Sequence, residues 1–145
     1  MTSIGEMVFT MFSGNEIVVP DSVLTLGYDC FQYCTLQTIQ FLDVCKITEI
    51  PNECFYASSF SDQLILPESI SSIDSYGFLR VNDASITFKG KITSIAPESF
   101  DGNNMTLTFM QNTKADILGM SENPSHPIDL STPSVIHCTD GDLIV

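Results

Sequence analysis

The chain has 145 residues, of which 43% are hydrophobic and 16% charged, and its formal net charge is −13 at pH 7. This length suits a single domain with a substantial core, and the composition excludes a disordered chain. Only five residues are Lys or Arg, which argues against nucleic-acid binding, because phosphate backbones are recognised by clusters of these side chains.

No targeting or membrane segment is predicted. Residues 1–12 have no basic stretch and no long apolar run, as a signal peptide would, and no window approaches the roughly 18 apolar residues of a membrane span. The five cysteines are an odd number without a secretion signal, which predicts thiols in a reducing compartment. We therefore expect synthesis in the cytoplasm, with no insertion into a membrane.

Five phenylalanines recur along the chain at intervals of 22, 24, 23 and 22 residues. An Ile or Leu precedes each of them by five positions. A period of 20–30 residues is typical of a solenoid. The repeating pairs are Ile4 and Phe9, Leu26 and Phe31, Ile50 and Phe55, Ile73 and Phe78, and Ile95 and Phe100.

A β-type run follows each phenylalanine by about ten residues, except the last, where the interval is shorter. The outer residues of each run are apolar and the middle one is variable, which is the period of a strand with one buried face. Stacked in neighbouring repeats, the runs predict a parallel sheet along the solenoid. They lie at 17–19, 39–41, 64–66, 86–88 and 107–109.

Two of these runs end in Pro-x-Ser, at Pro20 and Pro67. Proline has no N–H and therefore stops a strand ladder at a corner. The Ile or Leu before each phenylalanine then predicts a second, short extended segment on the opposite wall of the coil. The unit between Ile39 and Phe55 lacks the Pro-x-Ser corner, and we expect that coil to bulge.

Residues 19–34 read VPDSVLTLGYDCFQYC, and residues 66–78 repeat much of this pattern. The pattern resembles the BspA-like leucine-rich repeat family, over about residues 1–110. The resemblance implies a mostly β solenoid of about five coils of 22–24 residues, with an adhesion or protein-binding role and no catalytic residues. The chain departs from the family at the position before each phenylalanine, where alanine is usual and Val8 and Cys30 are examples here.

The period ends after Phe109, and residues 111–145 predict an irregular segment followed by a hairpin cap. Two apolar runs, at 135–138 and 142–145, flank Thr139-Asp140-Gly141. Asp-Gly between apolar runs is a strong hairpin signal, because the turn requires positive φ. We expect this hairpin to cover the last coil.

The first unit begins in the middle of a repeat, and we expect its apolar edge to be covered by another molecule. The residues of this predicted assembly edge are Ile4, Met7 and Phe9. Either a partner subunit or a second copy of the chain would cover it.

The outward face of the sheet is a second predicted binding surface. Its central row is uncharged and partly apolar on a strongly acidic chain, which favours a flat protein-binding strip. An ordinary solvated sheet face, rich in β-branched residues, explains the row equally well. The row consists of Val18, Gln40, Ile65, Thr87 and Thr108.

Candidate chemistry is sparse. Cys30 and Cys54 occupy equivalent positions in adjacent coils, where a disulfide or half a metal site competes with a pair of buried thiols. The buried thiols are favoured, because stacked side chains point in parallel and free Cys packs as a small hydrophobe. His126 and His137 accompany no nucleophile motif. We predict no enzyme activity, no catalytic residue, no metal and no cofactor.

Two classes of function remain open. One is a structural or accessory subunit of a larger assembly, such as a phage virion, whose partners would be other subunits or copies of the chain. The other is an adhesion or host-recognition module at a cell surface. The absence of a predicted signal peptide, the uncovered first coil and the small size favour the first class, and the resemblance to the repeat family favours the second.

Overall fold

The computed structural model of the chain describes residues 2–42, 44–96, 98–100, 104–121 and 133–144, and it forms a solenoid of five coils followed by a helix and a hairpin. The first coil spans residues 2–19 and ends with β2. The next four end with β5, β8, β10 and β12. The elements are β1 (Ser3–Ile4), β2 (Glu16–Val19), β3 (Thr25–Leu26), β4 (Thr35–Leu36), β5 (Thr38–Phe41), β6 (Glu49–Ile50), β7 (Ser59–Phe60), β8 (Leu64–Leu66), β9 (Ser72–Ile73), β10 (Ser85–Phe88), β11 (Ser94–Ile95), β12 (Met105–Phe109), α1 (Lys114–Ser121), β13 (Pro133–Cys138) and β14 (Gly141–Ile144).

The five predicted β runs are confirmed as the longer strand of each coil, and their pairing is parallel. β2 pairs with β5, and β8, β10 and β12 form one continuous ladder. β5 and β8 lie side by side but belong to separate sheets, joined by a 3.0 Å hydrogen bond from the Thr38 hydroxyl to the Gln63 carbonyl. This break falls in the longest repeat, the 24 residues between Phe31 and Phe55, where the sequence predicts a bulge.

The short segments before each phenylalanine form the predicted second wall, in which β1 pairs with β3, and β6, β9 and β11 form a three-stranded sheet. A third wall was not predicted. It consists of β4 paired with β7 and of a parallel bridge between Ser13 and Thr35. Each coil segment of this wall is two residues or fewer, which is too short to show an alternating pattern.

The repeating phenylalanines form a continuous ring stack through the core. Consecutive ring centroids are 5.5, 5.5, 5.0 and 5.3 Å apart from Phe9 to Phe100, and the planes lie within 13° of parallel. Phe31, Phe55 and Phe78 are completely buried. Each ring therefore packs mainly against residues about 23 positions away, and no coil can bury its ring alone.

The turns around these phenylalanines use left-handed backbone at residues other than glycine. Every second N–H in these turns donates to the next coil, so that Phe31 donates to the Cys54 carbonyl at 3.0 Å and Ala57 to the Leu79 carbonyl at 2.8 Å. Inter-coil hydrogen bonds thus hold a conformation that costs about 1–2 kcal/mol for each L-residue. The positive-φ residues two before and two after a phenylalanine are Met7, Asp29, Glu53, Tyr76, Glu98, Met11, Tyr33, Ala57 and Arg80.

This strain predicts that Ala57→Gly stabilises the fold. Ala57 has φ 54°, which glycine adopts without steric cost, and we expect the free energy of unfolding to rise by about 0.5–1 kcal/mol. Ala84→Gly is the control, since Ala84 is buried and has an ordinary φ. This substitution should lower the free energy of unfolding by about 1 kcal/mol. Urea titration followed by circular dichroism measures both variants, and equal losses would contradict the strain argument.

The predicted C-terminal hairpin is confirmed. β13 pairs in parallel with β12, and β14 returns antiparallel to β13 through a turn that ends at Gly141, with φ 125°. The segment before it is not wholly irregular as expected, because Lys114–Ser121 is the helix α1. A capping box explains its start: Thr113 N–H donates to the Asp116 carboxylate at 2.9 Å, and Asp116 N–H to the Thr113 hydroxyl at 3.2 Å.

Asn112 connects the C-terminal cap, which consists of α1, β13 and β14, to the last coil of the solenoid. The side chain is fully buried and pairs with the backbone of Ile92 in both directions, donating to its carbonyl and accepting from its N–H, each at 2.9 Å. The Asn112 carbonyl also accepts a 2.9 Å hydrogen bond from the N–H of Thr139 in the hairpin turn. One residue therefore joins the solenoid, the start of the helical segment and the hairpin.

Candidate interaction surfaces

The predicted row on the sheet face is present by register but is not a continuous strip. Thr87 lies opposite Ile65 and Thr108, and Val18 lies opposite Gln40. The break between β5 and β8 divides the two groups, and a cavity of about 300 Å³ lined by Phe41, Ile65 and Lys89, among others, opens there. Val18, Gln40 and Ile65 are exposed and Thr108 is half-buried.

The predicted sheet face is not fully exposed, because Thr87 in its central row is only 7% exposed. The Gln63 side chain lies over it and donates from Nε2 to the Thr87 hydroxyl. Substitution of Thr87 by a charged residue would therefore test burial as much as binding. That the rest of the row binds a partner stays a prediction.

The exposed large apolar side chains concentrate instead on the first coil. Twelve such side chains occur among the described residues, and five of them lie between residues 7 and 18. Of the predicted assembly edge, Met7 is exposed, Phe9 half-buried and Ile4 buried, and that these residues bind a partner stays a prediction. The five exposed residues, which we call the first-coil patch, are Met7, Val8, Met11, Phe12 and Val18.

Two members of the patch occupy positions that hold small buried residues in the other coils. Val8, just before its phenylalanine, is 57% exposed, whereas the residues at this position in the four later coils are buried. Phe12, three after its phenylalanine, is 41% exposed, whereas its counterparts in the next three coils are buried. Comparison of these positions across the repeats would have indicated both residues from sequence. The counterparts are Cys30, Cys54, Gly77 and Ser99 for Val8, and Cys34, Ser58 and Val81 for Phe12.

A mostly apolar cavity of about 190 Å³ lies beside the patch. It opens between the first turn and β2, with Ile4 and Phe9 on one side and Ile17 and Val18 on the other. Phe9 stacks on Phe31 with one ring face, and Phe12 meets the Phe9 ring edge-to-face at 6.0 Å. The first coil thus combines exposed apolar side chains with a concave site, which is the form of a protein-docking surface.

The thiol pair is a packing feature of the core. All five cysteines are free, and the Cys30 and Cys54 Sγ atoms are 3.6 Å apart, well beyond a disulfide bond. Burial, with the adjacent Cys30 thiol second, raises the pKa of Cys54. Burial raises the pKa of Cys34 to about 11, and its thiol donates to the Phe9 carbonyl at 2.9 Å. Protonated, buried thiols are poor nucleophiles and poor metal ligands.

Several other titratable groups make local contacts. His137 Nδ1 lies 2.7 Å from an Asp142 carboxylate oxygen across the hairpin, and His126 lies outside the described residues. Hydrogen bonding to the Thr113 N–H lowers the pKa of Asp116 at the start of α1. Burial, and then a hydrogen bond with Asp29, raises the pKa of Glu53.

Within the described ranges, no group of three or more His, Cys, Asp or Glu side chains is arranged to hold a metal ion. No helix in the same part of the chain has the length and apolar character needed to cross a membrane.

The comparisons with known proteins agree with the geometry. Residues 1–108 match the family model described as BspA type leucine rich repeat region, with six copies. The chain belongs to this leucine-rich repeat family. No curated protein and no solved structure matched the chain.

As a BspA-type repeat protein, the chain carries a module whose family suggests protein–protein interaction and is typically non-catalytic. The family match covers all five coils up to β12, whereas α1 and the hairpin lie beyond it. The first-coil patch is part of the repeat region itself.

Proposed function

We propose that this chain is a non-catalytic interaction module and acts as a structural or accessory subunit of a larger protein assembly, such as a phage virion. The observation that carries the proposal is the first-coil patch. Its Met7, Val8, Met11, Phe12 and Val18 side chains are all exposed, and at the positions of Val8 and Phe12 the later described coils hold buried residues.

An exposed apolar cluster with a cavity beside it favours end-on docking by another protein. Each fully buried side chain of this size contributes about 1.5–3 kcal/mol, so burial of two or three of them is enough to dominate an interface. Met and Phe are enriched at interface cores, while the acidic surface elsewhere keeps the chain soluble.

The test measures binding of this chain to the purified proteins encoded next to it in its genome. We expect Met11→Glu to weaken the dissociation constant of the partner at least about tenfold, because it places a charge at the centre of an apolar contact. Met110→Glu is the matched control, since Met110 is also exposed but lies at the end of β12. It should change the dissociation constant less than about twofold.

Ile65→Glu distinguishes the sheet face from the first coil. A partner that loses affinity for Ile65→Glu and not for Met11→Glu would contradict the first-coil site and favour the sheet face. A stable subunit contact requires a dissociation constant well below about 100 μM. If none of the neighbouring proteins binds at concentrations up to about 100 μM, the assembly role is therefore wrong. Adhesion at a cell surface is then the remaining class.

A further inference from the structure

The backbone of the first coil presents hydrogen-bond acceptors in a fixed direction. Met7 N–H donates to the Tyr28 carbonyl at 3.1 Å, Phe9 to Cys30 at 2.8 Å, and Met11 to Gln32 at 2.8 Å. In a trans peptide, the carbonyl of the preceding residue points opposite to that N–H. The carbonyls of Glu6, Val8 and Thr10 therefore point away from the second coil, on the side of the first-coil patch.

The charged side chains around the patch, among the described residues, are acidic. Glu6 precedes Met7, Glu16 begins β2, and Asp21 follows Pro20, which lines the cavity; all three acids are exposed. The first basic residue of the chain is Lys46, which lies between β5 and β6, two coils away. Parallel carbonyl dipoles add further negative potential on the same side.

We propose that the occupant of the first-coil patch is an extended polypeptide segment of another protein, apolar with Lys or Arg at its flanks, that donates backbone N–H groups to the Glu6, Val8 and Thr10 carbonyls. This rests on the proposed function and names the chemistry of the partner. A second copy of the chain is a poor occupant, because each copy carries a net charge of −13 and the acids around the patch would face more acids.

The test uses short synthetic peptides of equal length that share an apolar centre and carry lysine, threonine or glutamate at both flanks. Amide chemical shifts of the ¹⁵N-labelled full chain report where each peptide binds. We expect the lysine peptide to perturb residues of the first coil, and its affinity to fall about tenfold as salt rises from about 0.05 to about 0.3 M, because exposed charge pairs are screened. The glutamate peptide should not bind.

Matched variants separate charge from backbone pairing. Glu6→Gln combined with Glu16→Gln should remove most of the salt dependence, whereas Glu49→Gln combined with Glu68→Gln, at exposed acids of the third and fourth coils, should leave it unchanged. A lysine peptide with alternate backbone nitrogens methylated keeps its charge and side chains but loses donors, and it should bind at least about tenfold more weakly.

Several outcomes overturn the inference. Equal binding of the threonine and lysine peptides would show that the basic flanks are wrong while docking at the first coil stands. Dimerisation of the chain itself at physiological salt, abolished by Met11→Glu in sedimentation equilibrium, would make a second copy the occupant. If no peptide perturbs the first coil, the proposed segment is wrong. If Met11→Glu also leaves partner binding unchanged, the first-coil site fails with it, whereas the assembly role fails only when no neighbouring protein binds.

Discussion

Phe55→Ala is expected to lower the free energy of unfolding by about 3–5 kcal/mol, as is usual when a buried phenylalanine is truncated. Phe55 is fully buried at the centre of the ring stack, 5.5 Å from Phe31 and 5.0 Å from Phe78, and it meets Phe60 edge-to-face at 6.0 Å. The cavity would separate the first two coils from the last two. Because each coil of a solenoid contacts only its neighbours, we also expect a less cooperative transition.

Urea titration with circular dichroism measures both effects, as a lower midpoint and a smaller denaturant slope. Phe12→Ala is the control, because Phe12 is 41% exposed and contacts only the end of the stack, at Phe9. It should cost less than about 1 kcal/mol. A loss at Phe55 no larger than that at Phe12 would show that the ring stack does not hold the coils together.

Asn112→Ala is expected to lower the free energy of unfolding by about 2–4 kcal/mol. The substitution leaves the N–H and carbonyl of Ile92 buried without their side-chain partner, and each buried unsatisfied group costs about 1–3 kcal/mol. Because the Asn112 backbone also accepts from Thr139, the docking of the hairpin should weaken with it. Hydrogen exchange should show faster exchange at the Ile92 and Thr139 amides and at β13.

Thr93→Val is the matched control for this prediction. The Thr93 hydroxyl donates to the Ser71 carbonyl at 3.2 Å between adjacent coils, but the bond is exposed to water. Water replaces such a bond, and the expected loss is below about 0.5 kcal/mol. Unchanged hairpin protection in Asn112→Ala would mean that the β12–β13 pairing alone holds the cap.

Phe55→Ala tests the solenoid and Asn112→Ala tests the C-terminal cap, and the two parts form one continuous body. The sequence suggests a boundary near residue 110, where the period ends, and the family match ends at residue 108. Yet β13 extends the sheet of β12, and Asn112 bridges the two parts. The cap is therefore better regarded as the closing element of the solenoid than as an appendage.

Much of this architecture follows from spacing alone. The phenylalanine period, the Ile or Leu five residues earlier and the alternating runs gave the number of coils and two of the three walls. They suffice because a residue that recurs every 22–24 positions stacks on its own counterpart, so the period itself encodes the tertiary neighbour. The Asp140-Gly141 turn likewise fixed the hairpin, since few residues adopt its backbone.

Other features had no readable signal or a weak one. The third wall consists of strands too short for a pattern. The helix α1 has eight residues, and only Thr113 and Asp116 in a capping box mark its start. The left-handed turns occupy residues such as Glu53 and Tyr33 that ordinarily avoid this conformation, because hydrogen bonds to the next coil impose it.

For this protein, the sequence by itself determined the repeat, the core positions and the family, because these depend on residue type at a regular interval. The tertiary structure decided how far each apolar residue is exposed, which the repeat positions of Val8 and Phe12 only indicate. Val8 stands where later coils hold small buried residues, and Thr87 is covered by Gln63 from the adjacent coil. Exposure depends on what stacks against a residue from about 23 positions away, and this placed the candidate docking surface on the first coil.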